Sequence, residues 1–289
     1  MIIQFFAVIV AGIVLFRKML FQKAKNLENQ VVLITGGAKG LGKEIAMQLA
    51  KYNCKIAIAD LDMANAEKTC DELRTQGTLD VKAYKVDVSS LAEIEHLKTQ
   101  ITKDLGPVDI VINNAAIIMI RSVQEENPEL LQKMIDVNVM SLVWTTRVFL
   151  QDLIDKKRGH IVSISSIGGL FGAPDLHVYS TSKFAVRGFM EALYTDLLRY
   201  DNDKFVKTTT VFPCFINTGN SIEEHTNNNY KLIKMWDVKS VAKRIVKAIR
   251  YDERIVTIPS IAYIFGYKIQ IPTFIWRAFI KNMTKPKKN

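Results

Sequence analysis

Residues 31–42 read Val31-Val32-Leu33-Ile34-Thr35-Gly36-Gly37-Ala38-Lys39-Gly40-Leu41-Gly42. An apolar, β-branched run comes first, then a glycine-rich turn, then the start of a helix-length stretch. A short continuous apolar run bounded by a turn has the pattern of a strand buried on both faces. Glycine in the turn lets the chain reverse tightly and lets another group approach the backbone. The helix that follows offers free N–H groups and the positive end of its dipole. Strand, glycine turn and helix, in that order, form a cradle for a pyrophosphate.

The same alternation runs outward from this stretch. Further short runs rich in β-branched residues fall at 55–59, 81–86, 109–113, 160–165, 206–212 and 254–258. Helix-length stretches fall between them, at about 41–52, 63–76, 90–105, 128–154, 179–199 and 237–251. Strands alternating with helices predict an α/β fold, a Rossmann-type doubly wound parallel sheet in a single domain. That domain is expected over residues 29–258, with an apolar helix before it and a membrane-associating segment after it.

Charge separates the termini from this body. Residues 1–27 hold Arg17, Lys18, Lys23 and Lys25 and no acid, and residues 259–289 hold Lys268, Arg277, Lys281, Lys285, Lys287 and Lys288 and no acid. The net charge is +10, so the two segments account for all of it and the body is neutral. A nucleic-acid-binding domain carries its basic patch within the fold, so nucleic acid is not an expected partner. Residues 1–16 are apolar except for Gln4, with Arg17-Lys18 behind them. This reads as an uncleaved membrane anchor, with residues 1–28 forming anchor and basic linker and the body on the cytosolic side. Removing residues 1–27 is expected to leave the body folded. The tail from 259 to 289 mixes aromatic and basic residues, the composition of an interfacial segment, and Pro272 limits any helix there. Lys285-Pro286-Lys287-Lys288-Asn289 is similar to a dilysine retrieval tail of endoplasmic-reticulum proteins. Cys54, Cys70 and Cys214 form no C-x-x-C pair, and His96, His160, His177 and His225 have no metal-ligand spacing, so no metal is expected.

Asp60 ends the second apolar run, 20 residues after Gly40. An acid at that distance can hold both adenosine ribose hydroxyls and repel a 2′-phosphate, which favours NAD. Lys39 in the glycine turn pulls toward NADP. Asp60 is weighted more because its repulsion is direct.

Further along come Asp87, then Asn113-Asn114-Ala115-Ala116, then Asn138, Ser166 and Tyr179-x-x-x-Lys183. Together with TGGAKGLG, this series resembles the short-chain dehydrogenase/reductase family over residues 29–258. The resemblance implies a catalytic tetrad of Asn138, Ser166, Tyr179 and Lys183. It implies cofactor contacts from Thr35, Gly36, Lys39, Gly40, Leu41 and Gly42 in the turn and from Asp60 at the ribose. Asp87, with Val88 beside it, would meet the adenine, and Asn114 and Ala115 would line the cleft. Pro213, Ile216 and Thr218 would meet the nicotinamide, with Tyr179 and Lys183 completing the set. Cys214 stands where most members have glycine after Pro213, which leaves the local backbone open. The turn and the termini are similar to the membrane-associated branch that contains epidermal retinol dehydrogenases and 17-beta-hydroxysteroid dehydrogenases of types 11 and 13. That branch implies the endoplasmic reticulum membrane or lipid droplets, and the family implies a homodimer through the two long helices.

The chemistry of the tetrad also stands without the family. Oxidising an alcohol requires a base for its proton, and free tyrosine, with a pKa of about 10, is too weakly ionised. A lysine at i+4 faces the same side of a helix. Its ammonium, with a nicotinamide cation, is expected to pull the phenol down; reaching about 7 represents roughly 4 kcal/mol. Ser166 would orient the substrate oxygen, in competition with Ser163 and Ser165. Asn138 would hold a water that links Lys183 to solvent, and His177 reads as a wall or surface residue. The expected activity is hydride transfer between a lipophilic alcohol or carbonyl (a retinoid, a steroid or a related lipid) and NAD. The alternatives are an NADPH-dependent ketone reductase and a non-catalytic lipid-surface scaffold.

Overall fold

The structure is a computed structural model of the 289-residue chain and describes residues 23–78, 80–120, 124, 127–217, 235–262 and 273–283. The strands of the main sheet are β1 (Val31–Thr35), β2 (Lys55–Asp60), β3 (Val81–Lys85), β4 (Ile110–Asn113), β5 (Gly159–Ile164), β6 (Val206–Pro213) and β9 (Ile255–Ile258). Their order is β3-β2-β1-β4-β5-β6-β9, and every pairing is parallel. The chain winds outward from β1 to one edge, then returns and winds from β4 to the other. This reversal opens a crevice beyond the carboxyl ends of β1 and β4, where open α/β sheets bind their ligands. A small parallel pair, β7 (Ile216–Asn217) and β8 (Trp236–Asp237), sits at the rim.

The helices are α1 (Gly40–Ala50), α2 (Met63–Thr75), α3 (Leu91–Asp104), α4 (Pro128–Ile135), α5 (Ser141–Asp155), α6 (His177–Arg199), α7 (Val238–Arg250) and α8 (Thr273–Met283). Period-2 alternation along β1 sends Val32 and Ile34 to one face and Val31 and Leu33 to the other. Val32 and Ile34 join Ile45 and Leu49 of α1 and Ile245 and Ile249 of α7 in one core. Val31 and Leu33 join Ile94, Leu97 and Ile101 of α3 and Phe149 of α5 in a second. Each fully buried Leu or Ile contributes about 1.5–3 kcal/mol. Two such layers explain why the apolar runs continue along whole strands.

The long helix expected at 128–154 is present, with a change of hydrogen-bond pattern partway along it. A π-helical segment, Asp136–Met140, separates α4 from α5 and contains Asn138. Such segments recur at functional sites because they re-aim side chains within a helix.

The linker is built into the body rather than hung from it. Leu27 is 1% exposed and lies in the core beside α1 and α7. The Lys25 N–H donates to the Arg250 carbonyl at 2.7 Å. Its ammonium donates to Asp252 Oδ1 at 2.9 Å and lies 2.6 Å from His160 Nδ1. Burial lowers the Lys25 pKa, with Asp252 opposing the effect. Removing residues 1–27 therefore takes a core side chain and part-buried hydrogen bonds with it, a cost that the expectation of a cut that leaves the body folded did not include.

The apolar run 1–16 and the substrate loop beyond Asn217, including Thr218, lie outside the described residues. Among the described residues no helix is long and apolar enough to cross a membrane. Helix α8 begins directly after Pro272 and carries an exposed Ile275 beside Arg277 and Lys281.

Candidate active site

The glycine turn leaves β1 through Gly36 at φ +63° and enters α1 through Gly40 at φ +59°, both in the left-handed region. Gly42 is required for a different reason. A Cβ there would lie 2.2 Å from the Gly36 carbonyl oxygen and 2.6 Å from Asn114 Nδ2. The turn and the first turn of α1 touch, and only a hydrogen fits between them.

Asn114 pins this turn to the end of β4. Its Nδ2 donates to the Thr35 carbonyl at 3.0 Å and the Gly36 carbonyl at 2.9 Å. Thr35 Oγ1 accepts from the backbone N–H groups of Asn114 and Ala115 at 3.1 and 3.2 Å. Thr35 is 1% exposed, and neither it nor Gly42 lines the crevice. These two expected contacts shape the cradle from behind. Asp60 Oδ2 accepts from Ala38 N, and Oδ1 from Asp62 N, each at 3.0 Å. Its carboxylate thus holds the turn while facing the crevice. Lys39 reaches Asp62 Oδ2 at 3.4 Å, so the cation of the turn already has a carboxylate neighbour. Asp62 is also the N-cap of α2.

These features lead into one cavity of about 460 Å³. Gly36, Lys39, Gly40, Leu41 and Asp60 line one end, with Asp87, Val88 and Lys133 nearby. The Asp87 carboxylate accepts from the Ser89 hydroxyl at 2.6 Å and N–H at 2.9 Å; the hydroxyl bond in particular holds it below the usual carboxylate range. Lys133 lies close enough to add to this. Sequence reasoning missed Lys133, because nothing in its helical position signals a cavity 46 residues after Asp87. A dinucleotide fits this end: α1 starts with no capping side chain, glycines clear its first turn, and an acid, Asp60, lines the cavity beside it.

At the other end, Ser166, Tyr179 and Lys183 come together, beside Ala115, Pro213, Cys214 and Ile216. Ser166 caps a 3₁₀ turn, accepting from Gly168 N at 3.1 Å, and hydrogen-bonds Tyr179. The competing serines are occupied elsewhere: Ser163 Oγ contacts Met190 Sδ at 3.2 Å, and Ser165 Oγ donates to the Lys183 carbonyl at 2.9 Å. That contact draws α6 against the 3₁₀ turn, where a Cβ on Gly169 would lie 2.5 Å from the Lys183 carbonyl. Gly169 is the second residue the sequence did not flag. His177 opens α6 and is exposed.

Lys183 is 2% exposed; its ammonium donates to the Ile164 carbonyl at 3.0 Å and lies 5.6 Å from the Tyr179 ring centroid. Burial lowers its pKa to about 8. Burial also pushes the Tyr179 phenol up, and the Ser166 hydrogen bond only partly offsets this. The expected lowering of the phenol is therefore not produced by the protein's own groups. Desolvation is the largest effect on each of the two groups.

Asn138 is 3% exposed and its carboxamide is committed. Oδ1 accepts from Ile117 N at 2.7 Å, and Nδ2 donates to the Ile117 carbonyl at 2.9 Å and to Ser182 Oγ at 3.0 Å. The side chain thus ties the segment after the NNAA turn to α6. Cys214 has no left-handed backbone, so a Cβ is tolerated where the family usually has glycine. Its N–H donates to the Ile258 carbonyl at 2.8 Å.

Comparison with known proteins agrees with this geometry. The chain is 35% identical to epidermal retinol dehydrogenase 2 of Homo sapiens over 239 residues, covering 83% of this chain and 77% of that protein. It is 30% identical to 17-beta-hydroxysteroid dehydrogenase 13 of Homo sapiens over 244 residues, covering 84% and 79%. The crystal structure of a short chain dehydrogenase/reductase from Burkholderia phymatum in complex with NAD superposes with a TM-score of 0.76, at 24% identity, over 92% of this chain and 100% of that one. An alcohol dehydrogenase from Thermococcus sibiricus complexed with 5-hydroxy-NADP superposes at 0.68, with 21% identity, over 79% and 94%. The short chain dehydrogenase family matches residues 30–229, and the chain belongs to that family of oxidoreductases.

Proposed function

We propose that this protein oxidises the hydroxyl of a lipophilic alcohol, of the retinoid or steroid kind, with NAD. One observation carries the reading: Ser166, Tyr179 and Lys183 stand where the cavity is walled by Ile117, Ile118, Phe171, Leu176 and Ile216. A reactive hydroxyl there is surrounded by apolar side chains that suit a hydrocarbon body. The bound nicotinamide supplies the hydride acceptor and a positive charge.

The protein's residues do the rest. Ser166 donates to the substrate oxygen and fixes its angle to the Tyr179 phenol. The Tyr179 phenolate takes the hydroxyl proton as the C–H bond breaks. Lys183 would hold the ribose hydroxyls of the cofactor, and its charge would favour the phenolate. Burial raises the phenol in the protein alone, so a cation beside Lys183 would help the base to ionise. Asp60 selects a cofactor with free 2′- and 3′-hydroxyls. Lys39 favours the reverse reading, an NADPH-dependent reductase, but its contact with Asp62 weakens that attraction.

Residues 1–16 anchor the protein to the endoplasmic reticulum membrane or a lipid droplet, with the body in the cytosol. The C-terminal segment adds aromatic and basic contacts, and the chain works as a homodimer through α4–α5 and α6. The test is an oxidation screen of retinoid, steroid and other lipid alcohols, with NAD and NADP, on membrane-bound protein and on Tyr179→Phe. Turnover that survives in the variant above about a tenth of wild type overturns the base assignment, since general-base catalysis contributes about 10²–10⁴-fold. A preference for NADPH-dependent reduction favours the reverse reading.

A further inference from the structure

Helix α7 carries five basic side chains, and the structure divides them into two kinds. Arg244 pairs with Glu253 at 2.6 Å, and Arg250 lies 4.4 Å over the Tyr52 ring. These two serve the body. Lys239, Lys243 and Lys247 follow one another at four-residue spacing and are exposed. Among the described residues none of the three forms a salt bridge. The acid nearest them in sequence, Asp237, accepts from the N–H and hydroxyl of Ser240 as the helix cap, and its charge interacts only secondarily with Lys239. The opposite side of α7, including Val241, Ile245 and Ile249, is buried in the core. The lysines thus form a one-sided positive stripe about 12 Å long on a rigid helix.

The place where the N-terminal segment joins the body gives this stripe a partner. Lys25 is bonded through its backbone to Arg250 at the end of α7 and through its ammonium into the His160–Asp252 cluster. Residues 17–24 are all that separates this fixed point from the apolar run 1–16. Eight residues span at most about 28 Å. α7 itself is about 20 Å long. A bilayer that takes up residues 1–16 therefore lies within reach of the whole stripe.

We infer that Lys239, Lys243 and Lys247 form a contact surface for an anionic lipid membrane, which sets the orientation of the body on it. The inference rests on the membrane reading proposed above and adds to it a specific face. α7 begins directly after β8, which borders Ile216 of the cavity. Laying α7 on the membrane therefore brings the cavity rim down beside the lipid.

The test uses the full-length protein, reconstituted into vesicles of phosphatidylcholine alone and of phosphatidylcholine with about 30% phosphatidylglycerol, a content that gives a strong negative surface potential. A membrane-impermeant acetylating reagent and mass spectrometry then give the modification rate of each lysine. Lys103 on α3, exposed on the other face of the sheet, is the internal reference. Acetylation of Lys239, Lys243 and Lys247 should slow by roughly fivefold or more on anionic vesicles, about what 1 kcal/mol per residue provides. It should recover in about 0.5 M salt, where screening is strong, and Lys103 should stay unchanged throughout. Equal rates for the stripe and Lys103 on protein that floats with anionic vesicles would overturn the inference and leave the anchor intact. Protein that floats with neither vesicle type would overturn the membrane reading itself.

Discussion

Lys183→Met should make the ligand-free protein more stable while abolishing its activity. The wild-type ammonium is 2% exposed, and burial lowers its pKa from 10.5 to about 8. At 1.36 kcal/mol per pKa unit, keeping it charged below pH 8 costs the fold roughly 3 kcal/mol. Methionine fills similar space without the charge. It forfeits the hydrogen bond to the Ile164 carbonyl, a loss of about 1 kcal/mol. The net gain at pH 7 is about 2 kcal/mol, or about 4–8 °C in Tm for a domain of this size. The sign of the pH dependence follows from proton counting. Between pH 8 and 10.5 the unfolded chain holds the Lys183 proton and the folded chain has released it, so wild-type stability from this group rises with pH there. The advantage of the variant should be full below pH 8, shrink through that window, cross zero about one unit below pH 10.5 and leave the variant about 1 kcal/mol behind above it, where only the lost hydrogen bond counts. Thermal melts of both proteins at pH 7 and pH 10, without cofactor, measure this difference. A variant that melts at or below wild type at pH 7, or an advantage undiminished at pH 10, would refute the reasoning.

Three further outcomes follow from the geometry. Gly42→Ala should weaken NAD binding at least tenfold, by about 1.4 kcal/mol or more, because its Cβ displaces the Gly36 carbonyl and Asn114; a fluorescence titration with unchanged Kd would show that the turn has room. Asp60→Asn keeps an acceptor for the turn but removes the charge, so the kcat/KM ratio of NAD to NADP should fall at least tenfold, and an unchanged ratio would place cofactor choice elsewhere. Deleting residues 1–22 should leave the Tm of the body unchanged, whereas deleting residues 1–27 should cost about 2–5 kcal/mol through loss of the buried Leu27 side chain; equal melting of the two truncated forms would contradict the tie at Lys25 and Leu27.

Local patterns carried the fold. The apolar runs fell within about a residue of the seven sheet strands because a strand buried on both faces must be apolar throughout, and that constraint is written in consecutive residues. The glycine turn was equally legible, since left-handed backbone at Gly36 and Gly40 leaves few other residue types. Tyr179 and Lys183 were readable as neighbours because helical spacing alone faces them the same way. What the sequence could not state depends on groups far apart in the chain. Lys25 meets His160 across 135 residues, so a linker by composition is tied into the body in space, with Leu27 in the core. Asn138 reads as a helix residue, but its carboxamide is claimed by Ile117 and Ser182, and a π turn aims it there. The i+4 lysine suggested an acidified phenol, and only the packed site shows that burial outweighs a cation 5.6 Å from the ring. Periodicity and turn chemistry are properties of neighbouring residues. Desolvation and hydrogen-bond competition are set by whatever the fold brings alongside, and they are decided in the tertiary structure.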